Sequence, residues 1–142
     1  MGFFEEQSAK KEIRKRLNKI VLFNSNSQHF NYFIVKGSRR KINMSEKDLI
    51  ILHHLLVKVG KEKGYDVEWL INPENFVREL RMALSWAHDQ SEALIFYYRP
   101  SAEVEFANKK YEKYKNRYID SNTEARYNNM YMAFVELYDL LG

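Results

Sequence analysis

Several residue types are scarce in this chain of 142 residues, and each shortage excludes a class of protein. There is no cysteine, which excludes a disulfide framework and thiolate-ligated zinc and makes a reducing cytosol the expected setting. The five glycines and two prolines leave few helix breakers, so long helices are favoured over many short strands. No apolar run is long enough to cross a bilayer. We therefore expect a cytoplasmic protein without a membrane partner.

Acidic side chains are missing from one long stretch of the chain. Between Ile13 and Ser45 there is no Asp or Glu, whereas the whole chain carries a net charge of +4. The eight basic residues of this stretch are Arg14, Lys15, Arg16, Lys19, Lys36, Arg39, Arg40 and Lys41. All other residues together therefore carry −4. Such a block concentrates positive potential and attracts an anionic partner.

The residues that are present favour a folded helical protein. The hydrophobic fraction is 45% and the aromatic fraction 15%, both typical of globular domains. Apolar residues recur every three or four positions, which predicts a mainly α fold, a single-domain bundle of about five helices. The first predicted helix runs from Phe4 to Phe23. The second runs from Leu49 to Val59 and follows a capping box at Ser45 and Asp48. Three further helices are predicted to begin at Pro73, Ser101 and Thr123. We divide the chain into a basic N-terminal helix and loop, 1–44, packed on or extending from a helical core, 45–142.

Two segments leave room for β structure. Phe30 to Val35 is a short aromatic and β-branched run that is typical of a strand. Ala93 to Tyr98 and Glu103 to Phe106 either belong to helices or form a hairpin around Pro100. With a hairpin, the element order resembles a winged helix-turn-helix, which implies that 74–88 is the recognition helix.

The acid-free stretch contains the first candidate site. Six of its cations are predicted to contact phosphates of a nucleic-acid backbone, or of another polyanion, without reading the base sequence: Arg14, Lys15, Lys19, Arg39, Arg40 and Lys41. The alternative is a solvated, merely solubilising surface. We predict a non-enzymatic binding protein that needs no cofactor, and we expect DNA as its partner.

A tyrosine-rich helix is the second candidate. Tyr111, Tyr114 and Tyr118 are interleaved with lysines and an arginine, an arrangement on which single-stranded nucleic acid can stack. Their three- and four-residue spacing also fits a seam packed against the final helix. The runner-up hypothesis for the function of the chain makes these tyrosines the contact with a protein partner, in an adaptor or inhibitor whose C-terminal helices are rich in Tyr and Met.

The histidines form the third candidate. His53 and His54 lie on the second predicted helix, and a His88-Asp89 pair follows on a later one, with Glu92 shortly after it. In this order the chain resembles the HD-domain phosphohydrolases, particularly their nucleotidase branch. The resemblance implies a divalent metal held by His53 or His54, His88, Asp89 and Asp139, with Glu92 orienting the attacking water.

Overall fold

The computed structural model describes the backbone of residues 3–25, 45–97 and 101–142, and the side chains of residues 8–21, 45–86 and 101–142. The described residues form six α-helices: α1 (Phe3–Ser25), α2 (Glu46–Glu62), α3 (Glu68–Ile71), α4 (Pro73–Tyr97), α5 (Ala102–Asp120) and α6 (Glu124–Leu140). The prediction of a mainly α bundle is thereby confirmed. Each of these helices is too short or too polar to traverse a lipid bilayer.

The alternative hairpin is wrong. Residues 93–97 continue α4, and residues 102–106 form the first turns of α5. The Ser101 hydroxyl accepts a hydrogen bond from the amide of Val104 at 3.2 Å, and Glu103 and Glu105 lie in the first turn, where the helix dipole favours negative charge. The winged-helix arrangement is wrong for the same reason, because its wing needs these two strands. The predicted strand from Phe30 to Val35 lies outside the described residues.

Local signals begin α2, α4 and α6 as the sequence predicts. At α2 the Ser45 hydroxyl accepts from the Asp48 amide, and the Asp48 carboxylate accepts from the Ser45 amide, so the capping box is confirmed. Asn72 Oδ1 accepts from the Glu74 amide at the start of α4. The Thr123 hydroxyl caps α6 in the same manner. These contacts satisfy amide groups that have no partner within the helix.

Contacts group the chain into two compact units, Met1–Tyr97 and Tyr98–Gly142. In the first unit α1 packs against α4 and α2, so the basic helix belongs to a packed helical layer. The core of this unit is apolar, and its most deeply buried residues include Ile13, Leu17, Leu52, Leu55, Leu56, Leu70 and Leu80. The predicted division at residue 44 falls outside the described residues and stays a prediction.

Helices α1 and α4 run in the same direction. Near the start of α1 the ammonium of Lys10 lies 5.5 Å from the ring centre of Trp69, which just precedes α4. Further along, Arg14 contacts Glu79, and Lys19 lies in one groove with Trp86. The side chains that follow one another along α1 therefore meet residues progressively later in the chain, from α3 to the middle of α4.

In the second unit, α5 and α6 form an antiparallel helical hairpin. Tyr111 on α5 packs against Phe134 on α6, with ring centres 5.4 Å apart. Nearer the connecting turn, Tyr118 meets Tyr127 edge to face at 5.7 Å. Aromatic rings thus fill the seam between the two helices.

Candidate functional site

An open groove lies on the surface that α1 and α4 share. Its volume is about 270 Å³, and its lining consists of Lys11, Arg14, Lys15, Asn18, Lys19 and Trp86. The three lysines follow one another at intervals of four residues, which places them on one side of α1. The surface inside the groove is mainly apolar. The lining therefore combines cationic side chains, whose methylene stems contribute apolar surface, with one indole ring.

Arg14 is held to α4 by two hydrogen bonds. Its Nε and Nη2 donate to the two carboxylate oxygens of Glu79, each at 2.7 Å. The Glu79 side chain is 10% exposed and that of Arg14 is 38% exposed, so the carboxylate is the more desolvated partner. This hydrogen bonding raises the pKa of Arg14, against an opposing effect of burial. The pair fixes α1 on α4 beside the groove.

The other cations of α1 differ in their surroundings. Lys11 and Lys15 are exposed and Lys19 is half-buried. Arg16 pairs within the helix with Glu12 and is not part of the groove lining. The hydrogen bond from Arg16 lowers the pKa of the Glu12 carboxyl. Lys11, Lys15 and Lys19 thus line the groove, whereas Arg16 pairs with an acid on its own helix and does not line it.

Asn18 and Trp86 complete the lining. The indole of Trp86 is half-buried, and it comes from α4. The side-chain oxygen of Asn18 is buried and has no hydrogen-bond partner among the described residues. A buried acceptor in this state is uncommon and is destabilising unless a ligand or a water molecule meets it.

Sequence reasoning found half of this lining, namely Arg14, Lys15 and Lys19. It missed Lys11 because Glu12 closes the acid-free stretch on that side, although the four-residue spacing of the lysines is visible in the sequence. It missed Trp86 because only the packing of α4 on α1 brings the indole to the lysines. The remaining predicted contacts, Arg39, Arg40 and Lys41, lie outside the described residues.

His53 lies at the junction of α2 and α3. Its Nε2 donates to the carbonyl oxygen of Leu70 at 2.7 Å. Its ring stacks on Phe76 at a centre-to-centre distance of 4.3 Å and an interplanar angle of 14°. These contacts make His53 a packing residue that joins three helical segments.

Of the other residues implied by the phosphohydrolase resemblance, the structure describes the side chains of His54 and Asp139. His54 is largely exposed on α2, and partial desolvation of its ring, followed by the charge of Lys58, lowers its pKa. The side chains of His88, Asp89 and Glu92 on α4 lie outside the described residues, and Asp139 is exposed on α6. Within the described part of the chain, no three His, Asp or Glu side chains are grouped so that they could hold a metal ion.

The tyrosines of α5 have different exposures. Tyr111 is only 4% exposed because it packs against α6, and Tyr118 contacts Tyr127. Tyr114 is half-buried, with the guanidinium of Arg117 5.6 Å from its ring centre. Two of the interleaved lysines are in ion pairs, Lys110 with Glu136 and Lys115 with Glu112. Much of this helix is therefore occupied by contacts within the hairpin.

The comparisons with known proteins give no family for the chain. No protein-family model, no curated protein and no solved structure matches it.

Proposed function

We propose that the chain is a non-enzymatic protein that binds nucleic acid through the groove between α1 and α4. The observation that carries this proposal is the row of Lys11, Lys15 and Lys19 along one side of α1, in a groove lined by no Asp or Glu among the described residues. Lysines arranged in this way can neutralise backbone phosphates without reading base sequence.

The spacing of the three lysines supports a phosphate backbone over an isolated anion. A four-residue step along an α-helix advances about 6 Å, which is comparable to the distance between successive phosphates of one nucleic-acid strand. A row of three such cations can follow a strand over several nucleotides. Arg14 has a different role in this proposal. Since Glu79 holds two of its nitrogens, it keeps α1 in place beside the ligand.

Salt dependence tests the proposal directly. Binding of a labelled oligonucleotide is measured by fluorescence anisotropy between about 50 and 200 mM salt, the range over which counterion release changes affinity strongly. We expect the triple variant K11Q/K15Q/K19Q to bind more weakly at every salt concentration. Its slope of log affinity against log salt should be smaller by about 2 to 3, because each lost phosphate contact contributes about 0.7 to 0.9.

The matched control removes three other exposed lysines, in the variant K47Q/K109Q/K113Q, and changes the net charge by the same amount. These residues lie on α2 and α5 and are not part of the groove lining. The control should keep most of the wild-type slope. An equal loss in both triple variants would locate binding elsewhere, and salt-independent binding or none at low salt would refute the proposal.

A further inference from the structure

We infer that the groove between α1 and α4 binds an unpaired base against Trp86, so that the partner is single-stranded nucleic acid. This inference rests on the proposed function and narrows its ligand. It starts from the indole surface of Trp86, the one apolar side chain in a lining that otherwise consists of four cations and an amide, which phosphate contacts alone would leave unused. An aromatic base would cover that surface while its phosphates stay with the lysines on the border.

The volume of the groove is sufficient for one base, and stacking of that base on an aromatic ring requires it to be unpaired. At about 270 Å³, it lies just below the range of about 300 to 1,000 Å³ that is typical of sites for drug-sized ligands. One base with its sugar is of this size. A paired base presents only its edge in a duplex groove, whereas an unpaired base offers its whole face to an aromatic side chain.

The lining residues have the chemistry that recognises a base and its phosphate. Trp86 provides an indole ring, and tryptophan stacks on every base because each has a π-face. Lys15 and Lys19 lie in the same lining and reach phosphates on either side of a stacked nucleotide.

The two tryptophans of the chain make this inference measurable. They are Trp69 and Trp86, so the variant W69F leaves Trp86 as the only indole. We expect a single-stranded oligonucleotide to quench the fluorescence of W69F on binding. Inorganic polyphosphate, which has the charge but no bases, should quench it little. The reverse variant, W86F, reports from Trp69 on α3 and should show little quenching with either ligand.

Affinity measurements separate stacking from phosphate contact. Replacing the indole in W86L should weaken single-strand binding by on the order of 10-fold and leave the salt slope unchanged, since the lysines remain. W86F keeps an aromatic face and should recover most of the affinity, which distinguishes lost stacking from a folding defect. Duplex of the same sequence should bind more weakly than the single strand.

The possible failures are distinct from failure of the proposed function. Equal binding of duplex and single strand, wild-type affinity in W86L, or equal quenching by polyphosphate would each overturn base stacking. In those cases a salt slope that falls in K11Q/K15Q/K19Q would still support a phosphate-binding groove. Absence of salt-dependent binding to any nucleic acid would overturn both.

Discussion

At the scale of single residues, the Arg14–Glu79 pair both attaches α1 to α4 and neutralises a nearly buried carboxylate. The carboxylate is nearly buried, and both of its oxygens accept hydrogen bonds from the guanidinium. Removing one partner leaves the other as an unpaired charge in a partly desolvated environment. Arg14 itself remains more than one-third exposed, so water screens part of this penalty.

We predict that R14Q and E79Q each lower the free energy of unfolding by about 1 to 2 kcal/mol. The double variant should lose less than the sum of the two single losses, because the second substitution removes a charge that is already unpaired. Urea unfolding of the four proteins measures this coupling. Additive losses would mean that the two hydrogen bonds contribute nothing specific to the packing of α1 on α4.

At the scale of elements, Gly60 sets how closely the end of α2 approaches the segment before α3. A Cβ at this position would overlap Cγ1 of Val67, a residue that is only 4% exposed, and would touch Ile13 Cδ1 at 3.4 Å. Alanine is the better helix former by about 1 kcal/mol. Here the overlap with a buried, branched side chain outweighs that preference.

We predict that G60A lowers the free energy of unfolding by about 1 to 3 kcal/mol, the usual cost of overpacking a core. V67A should also be destabilising because it leaves a cavity. In the double variant G60A/V67A the new methyl group occupies the vacated space, so its loss should be smaller than the sum. Thermal or urea unfolding decides the matter, and a stabilised G60A would show that Val67 moves aside at little cost.

The helices also differ in how far their features can be predicted from the sequence. Capping residues such as Ser45, Ser101 and Thr123 act on amides three residues away, so their effect is readable from the sequence alone. The secondary structure of Ala93 to Tyr98 is ambiguous in the sequence because short apolar segments occur in helices and strands alike. Trp86 could not be assigned to the site, since its neighbours come from α1, more than sixty positions earlier.

At the scale of the whole molecule, charge is distributed unevenly along the chain. The acid-free stretch carries +8 and all other residues −4. Part of that excess is cancelled on folding, since Glu79 pairs with Arg14 and Glu12 pairs with Arg16. The sequence therefore predicts the sign of the net charge of this stretch. The four-residue spacing of Glu12 and Arg16 makes their pairing readable from the sequence, but the pairing of Arg14 with Glu79 is not, because that carboxylate comes from another helix.

A last prediction concerns Arg39, Arg40 and Lys41, which follow α1 in the chain. If they contact the same ligand, R39Q/R40Q/K41Q should lower both affinity and salt slope, as K11Q/K15Q/K19Q does. The combination of all six substitutions should then reduce the slope by about the sum of the two changes. Anisotropy titrations against the same oligonucleotide measure this. A wild-type slope in R39Q/R40Q/K41Q would restrict the interface to the groove.

The hydrogen bond from His53 Nε2 to the Leu70 carbonyl oxygen has a consequence for any hypothesis in which His53 binds a metal ion. A backbone carbonyl only accepts, so Nε2 of this imidazole carries the hydrogen and its lone pair is unavailable to an ion. Coordination through that nitrogen would require the proton to leave and the link from α2 to the end of α3 to break. Ligation at Nε2 and helix packing are thus mutually exclusive at this side chain.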